Sequence, residues 1–267
     1  MRLRSQPRLL EARVGQTWLR AGFRFFHRQP LAWTLILFIY WASMLMFAFI
    51  PLFGAIVPLI LSPGLALGFM EIARAVDEQR PPSPPLLISA FRSEKAKSIL
   101  ILGGWYAAEI LAILLVGSIF DGGVLVQWIT AGVPPQGEEV SSMRTAAAVS
   151  IILYIPVLMA FWFAPQLVMW SDFKPTKALF YSFFAVWRNK GAFLRYLLTW
   201  IGLTVFVGAV LALLSQSMSF EPGTMTAFMF PITLILMAVA HGSFYQSTKD
   251  VFGDDEQIAT PFTEAHE

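Results

Sequence analysis

The sequence predicts an all-α, polytopic membrane protein with six transmembrane helices and amphipathic interfacial helices on the cytoplasmic side. Three observations lead to this fold class. Of the 267 residues, 57% are hydrophobic and only 13% are charged, whereas about 25% of residues are charged in soluble domains. Six segments are apolar over the roughly 20 residues that a helix needs to cross the hydrocarbon core. The basic residues occupy alternate gaps between those segments.

The predicted spans are 31–50, 55–76, 97–120, 145–170, 192–215 and 225–248. The first span contains no charged residue, which argues against a soluble helical protein with a large apolar core. A tight turn is predicted at residues 51–54, between the first two spans. Because proline removes a backbone hydrogen bond inside a helix, Pro63, Pro156 and Pro165 are predicted to kink their spans.

The distribution of Lys and Arg predicts the orientation of the chain. All but one of the 19 basic residues precede the first span, lie in or beside the second and fourth gaps, or follow the last span; Arg144 is the exception. Because basic loops stay cytoplasmic during insertion, both termini are expected inside. The predicted organisation is a basic amphipathic N-terminal segment (1–30), a six-span membrane domain (31–249) and an acidic flexible C-terminal tail (250–267).

Two amphipathic segments are predicted to lie in the membrane interface. In the first, Trp18, Ala21 and Phe25 share one helical face, and we expect the aromatic residues to lie among acyl chains and the Arg residues near phosphates. The second covers residues 176–190. The residues expected to contact lipid headgroups are Arg13, Arg20, Arg24, Arg28, Lys177 and Arg188. The expected partner is the phospholipid bilayer with its anionic lipids at the cytoplasmic face, and not nucleic acid, because the basic residues adjoin apolar segments.

The two interfacial segments also belong to a weak repeat with an offset of 160 residues. Arg28 corresponds to Arg188, and Gln29 corresponds to Asn189. Each copy is an aromatic-rich stretch that ends in a basic residue and an amide before a span begins. The pattern favours hairpins that each start on the same side of the membrane, although chance similarity between apolar segments is an alternative.

Glu109 is the strongest candidate for a functional residue, because it lies near the middle of the third span, where an ionised carboxylate is costly. It is therefore expected to face the bundle interior, to be protonated or to be paired. One hypothesis pairs Glu109 with His241 in a proton or solute site, with Gln166 as a further polar partner. The alternative is a protonated Glu109 bonded to a neighbouring helix and a His241 that donates to a backbone carbonyl.

The sequence contains no other pattern typical of catalysis or metal binding. It has no cysteine and three His, so neither a thiolate nor a multi-histidine metal site is expected, no cofactor is predicted, and the chain is not expected to be an enzyme. Three functions remain open. They are a non-enzymatic envelope scaffold or lipid-organising protein, a small-solute or proton-coupled permease that uses Glu109, and a membrane enzyme acting on lipid.

Two stretches resemble those of a known group. Residues 182–189 (SFFAVWRN) and 242–252 (GSFYQSTKDVF) are similar to segments of uncharacterised six-helix inner-membrane proteins of proteobacteria. The layout also resembles the membrane domain of glycerophosphodiester phosphodiesterases, without a catalytic domain. The resemblance implies a bacterial plasma membrane and assigns no catalytic residue.

Overall fold

The computed structural model describes residues 3–4, 6–50, 53–218 and 222–253. The α-helices of these ranges are α1 (Val14–Arg28), α2 (Pro30–Ala48), α3 (Phe53–Asp77), α4 (Ala96–Asp121), α5 (Val124–Ala131), α6 (Glu139–Phe161), α7 (Ala164–Ser171), α8 (Pro175–Arg188), α9 (Lys190–Met218) and α10 (Pro222–Phe252). A 3-10 helix covers Pro84–Arg92. An isolated β-bridge joins Leu3 to Gly253.

Within the described ranges, six helical segments are long and apolar enough to cross a membrane. This confirms the predicted number of spans. They are α2, α3, α4, the pair α6–α7, α9 and α10. The α3 helix packs against α2, α4 and α10, and α6 packs against α4. The predicted turn between the first two spans includes Pro51 and Leu52, which lie outside the described residues.

The ends of the spans that adjoin α1, α8 and the 3-10 helix meet at one side of the bundle, which we call the basic end. An ion pair there joins Lys95, before α4, to Asp172, after α7. The largest fully buried side chains include Trp18, Phe163 and Phe252, so the core is concentrated at this end. By contrast, α9 exposes apolar side chains along most of its length, as expected for a helix that faces lipid.

The apolar face of α1 packs against protein, which corrects the expectation that its aromatic residues lie among acyl chains. Trp18 and Phe25 are both 0% exposed. Two glycines make this packing possible, since a Cβ at Gly15 or Gly22 would overlap the backbone carbonyl of Ala192 in α9 or Val239 in α10. The α1 helix is therefore docked onto two spans through its own backbone.

The fourth span is interrupted, and a side chain from α8 stabilises the interruption. The α6 helix ends at Phe161, and α7 begins at Ala164 with Pro165 in its first turn. The Ser182 hydroxyl accepts a hydrogen bond from the Phe163 N–H (2.9 Å) and donates one to the Met159 carbonyl (2.8 Å). Inside a bilayer such freed backbone groups need protein partners. The predicted kink at Pro165 is thus a complete break in the helix. Ser182 supplies hydrogen-bond partners for the backbone groups that the break leaves free.

The last helix extends further than the predicted domain boundary. The acidic tail was expected from residue 250, yet α10 continues to Phe252, and both Val251 and Phe252 are fully buried. Asp250 accepts hydrogen bonds from the Trp18 indole (2.8 Å) and the Gln246 amide (2.9 Å). The physical reason is that these three residues pack against the N-terminal part of the chain. Residues 254–267 lie outside the described ranges.

The helix boundaries match the repeat that the sequence suggests. α1 ends at Arg28 and α8 ends at Arg188, and in both cases one amide residue separates the helix from the next span. The amide residues differ in role, because Gln29 is exposed whereas Asn189 is buried. Asn189 accepts a hydrogen bond from the Leu10 N–H (2.8 Å) and donates to the Arg8 carbonyl (2.9 Å), so it holds the N-terminal segment across the basic end.

Candidate functional site

Glu109 lies in a groove on the outer surface of the bundle, between α4 and α6. The groove has a volume of about 480 Å³, and its other lining residues are Ala112, Ile113, Val116, Leu153, Pro156, Val157, Ala160, Phe161 and Leu179. Glu109 is exposed, and it makes no hydrogen bond or ion pair with the described residues. Of the three states expected for Glu109, the described residues show neither an inward-facing nor a paired side chain, and the protonated state stays a prediction. A carboxylate therefore lies in an apolar groove that opens sideways.

Gln166 follows the break in the fourth span and borders a second, smaller cavity. It is fully buried, its amide nitrogen donates to the Trp162 carbonyl (3.0 Å), and its amide oxygen has no partner among the described residues. The cavity measures about 140 Å³. Tyr106 and Tyr154 also line it, and their hydroxyls are hydrogen-bonded to each other (3.1 Å).

His241 is part of the packing between α3 and α10. Its Nδ1 lies 2.8 Å from the Met237 carbonyl oxygen. Because a carbonyl can only accept, Nδ1 is the protonated nitrogen. The ring lies 4.1 Å from the ring of Phe69 in α3. This is the arrangement of the alternative interpretation, in which His241 donates to the backbone of its own helix.

The three predicted polar residues do not form one site. Glu109 borders a groove made by α4, α6 and α8, His241 contacts Phe69 of α3, and Gln166 borders the separate, smaller cavity. Phe161 lines both the groove and the cavity, so its ring is a shared wall. The hypothesis of a Glu109–His241 pair has no contact to support it. A role for each residue separately stays a prediction.

The residues expected to contact headgroups are exposed on α1, α8 and their flanks. These exposed residues are Arg13, Arg20, Arg24, Arg28, Lys177 and Arg188. Arg13 forms an ion pair with Glu11 (2.6 Å), and the Lys177 ammonium lies 4.0 Å from the centre of the Phe173 ring. These cations are thus placed at the basic end, where they can reach a membrane surface.

A polar cluster at the basic end was missed by the sequence analysis. Asp77, the last residue of α3, accepts hydrogen bonds from Lys249 (2.7 Å) and the Tyr245 hydroxyl (2.9 Å) of α10. Glu71 accepts a bond from the Trp170 indole of α7 (2.7 Å). The available signal was the helical spacing of Tyr245 and Lys249, four residues apart at the end of a span, but nothing local identified Asp77 as their partner.

The exposed rim of this cluster contains Glu78, just beyond the second span. Partial burial by itself would raise the pKa of Glu78, but hydrogen bonds from Arg74 (2.8 Å) and Arg80 (2.6 Å) outweigh it. The pKa of Glu78 is therefore lowered, and the carboxylate stays ionised at neutral pH. Within the described ranges, no group of three or more His, Asp or Glu side chains is arranged to hold a metal ion.

The fold and the apolar surface define a multi-pass α-helical membrane protein. Over 254 residues the chain is 35% identical to a probable inner membrane protein of Burkholderia thailandensis, and the match covers 92% of this chain and 94% of the relative. The chain belongs to the family of that protein and is a multi-pass inner membrane protein. No family model matches the sequence, and no solved structure matches it.

Proposed function

We propose that this protein is a non-enzymatic scaffold that organises anionic lipid at the cytoplasmic leaflet of the inner membrane. In this proposal both termini are cytoplasmic and the basic end faces the cytoplasm. The distribution of Lys and Arg supports that orientation, because Arg144 alone lies in the opposite set of loops. The similarity in layout to the membrane domain of glycerophosphodiester phosphodiesterases stays a prediction.

The surface of α8 is the single observation that favours lipid contact most. Phe180, Phe184 and Trp187 are 60%, 44% and 54% exposed, while Ala178 and Ala185 are buried against the bundle. The exposed aromatic residues recur at helical spacing and form one stripe. Burying them in water-free acyl chains would recover about 25 cal/mol for each Å² of apolar surface.

Cations border this aromatic stripe at both ends. Lys177 lies in the first turn of α8, Arg188 ends the helix, and Lys190 lies 5.4 Å from the centre of the Trp187 ring. Basic residues near an anionic membrane surface contribute about 1 kcal/mol each. Together the stripe and its cations form an interfacial helix that holds anionic headgroups.

The test measures which lipids stay bound to the purified protein. Native mass spectrometry of protein extracted from equal mixtures of phosphatidylglycerol and phosphatidylcholine gives the ratio of the two lipids. Lys177→Gln and Arg188→Gln are each expected to lower that ratio about fivefold, since about 1 kcal/mol is lost per cation. Arg144→Gln is the matched control and should leave the ratio unchanged. Equal lipid ratios in the wild type and in all three variants would refute the proposal.

A small-solute or proton-coupled permease that uses Glu109 is the second candidate function. The broken fourth span favours it, because discontinuous helices at membrane depth are typical of solute sites in transporters. The break adjoins the cavity that Gln166 lines. In this case Glu109→Gln should abolish uptake in proteoliposomes, and lipid preference should stay as in the wild type. Unchanged uptake by that variant would exclude this candidate.

A further inference from the structure

The position of Glu109 along α4 favours a positively charged partner for its carboxylate. Glu109 lies thirteen positions after Ala96 and twelve before Asp121, which at 1.5 Å per residue is about 20 Å and about 18 Å along the axis. The carboxylate is thus close to the bilayer midplane, and it is exposed. A charge at this depth costs several kcal/mol unless a counter-charge accompanies it.

We infer that the groove between α4 and α6 binds lipophilic organic monocations, with Glu109 as their counter-ion. The groove volume of about 480 Å³ lies within the range of roughly 300–1,000 Å³ that is usual for small-molecule sites. Small side chains at Ala112 and Ala160 leave room beside the carboxylate. The remaining walls are apolar, so a ligand must combine a positive charge with a hydrophobic body.

Two further features of the groove favour a cation. Pro156 lines it, and since proline has no N–H, the carbonyl of Ile152 one turn earlier lacks its usual helical donor. The negative end of that carbonyl dipole lies on the same side of α6 as Pro156. Phe161 presents an aromatic ring, and edge contact with Tyr106 at 5.1 Å holds it in place. Aromatic faces attract cations within about 6 Å.

A second copy of the chain does not supply the missing charge. The basic residues of the spans lie near their ends, at Arg74, Lys97, Arg144, Lys190, Arg195 and Lys249. None is at the depth of Glu109, so a symmetric contact would bring a second carboxylate or an apolar surface. A small cation that enters from the acyl-chain region meets no such restriction.

This inference does not rest on the lipid-organising proposal. It gives the permease candidate a substrate class, but binding can be measured without transport. Binding of a lipophilic cation can therefore be shown or refuted whether or not the protein organises lipid or transports a solute.

Equilibrium binding of radiolabelled tetraphenylphosphonium to the full chain in lipid nanodiscs tests the site. The wild type should bind saturably, and Glu109→Gln should weaken binding at least tenfold. Glu109→Asp, which keeps the charge, should stay within about threefold of the wild type. Ala112→Phe should also weaken binding, because the ring fills the groove from an exposed position and leaves the core intact.

Glu138→Gln is the matched control, because it removes an exposed carboxylate from the far end of the same helix pair, and its binding should equal that of the wild type. Neutral triphenylphosphine oxide should not compete with the labelled cation. Absence of saturable binding, or equal binding by Glu109→Gln, would overturn the inference. A membrane protein that co-purifies with the wild type and is lost in Glu109→Gln would also overturn it, in favour of a helix with its own cation in the groove.

Discussion

Neutralising Asp77 should destabilise the protein strongly, because two spans meet through this carboxylate. The side chains of Asp77 and Lys249 are only 12% and 17% exposed, and their charged atoms are 2.7 Å apart. At an effective dielectric constant of about 20, two unit charges at that distance attract by about 6 kcal/mol. Desolvation offsets much of this attraction. Removing one partner of a buried pair nevertheless costs about 3–5 kcal/mol, since the other charge is left unpaired.

We therefore expect Asp77→Asn to lower the free energy of unfolding by about 3 kcal/mol. Reversible unfolding in mixed micelles, followed by tryptophan fluorescence, measures this quantity. A double-mutant cycle with Lys249→Met should give a coupling energy of about 2 kcal/mol. Arg80→Gln is the control, because Arg80 and Glu78 form a more exposed pair, with side chains 51% and 41% exposed, and its loss should cost less than about 1 kcal/mol. Additive effects of Asp77→Asn and Lys249→Met would show that these two side chains do not stabilise each other.

Two further substitutions test contacts that hold other elements in place. Ser182→Ala leaves two backbone groups at the break in the fourth span without partners, so the free energy of unfolding should fall by about 3 kcal/mol. The control Ser43→Ala, at an exposed position, should change the free energy of unfolding by less than about 0.5 kcal/mol. Equal effects of the two substitutions would contradict the role of Ser182. Asn189→Ala should release the N-terminal segment and speed its cleavage by trypsin about tenfold. Gln29→Ala is the matched control at the equivalent position of the repeat, and equal cleavage of both variants would show that Asn189 does not anchor the segment.

The spans could be predicted because each depends only on local composition. A run of about 20 apolar residues has few alternatives to crossing the bilayer. The sequence could not predict whether Glu109 faces lipid or protein. The α4 helix is apolar on nearly all sides, so its sequence pattern does not distinguish a lipid-facing side from a protein-facing one. The wall of the groove opposite α4 comes mainly from α6, more than forty residues later in the chain.

The environment of α1 shows a similar limit. An apolar stripe with Trp18 and Phe25 is equally suited to acyl chains and to protein. The distinguishing signal was the pair Gly15 and Gly22, seven residues apart on the face that packs, since glycines in an otherwise good helix allow close approach of another backbone. The break in the fourth span was signalled by Pro165, but its extent depends on Ser182 in another helix.

Both the lipid contacts and the cytoplasmic termini depend on the orientation of the six spans. Because the chain has no cysteine, this orientation can be measured by labelling single introduced thiols. Ser141→Cys and Thr176→Cys each introduce a single thiol at an exposed position on opposite sides of the bundle. Labelling with a membrane-impermeant maleimide should modify the thiol at position 141 in intact spheroplasts and the thiol at position 176 only after lysis. Labelling of both thiols from the same side, or the reverse order, would contradict the proposed orientation.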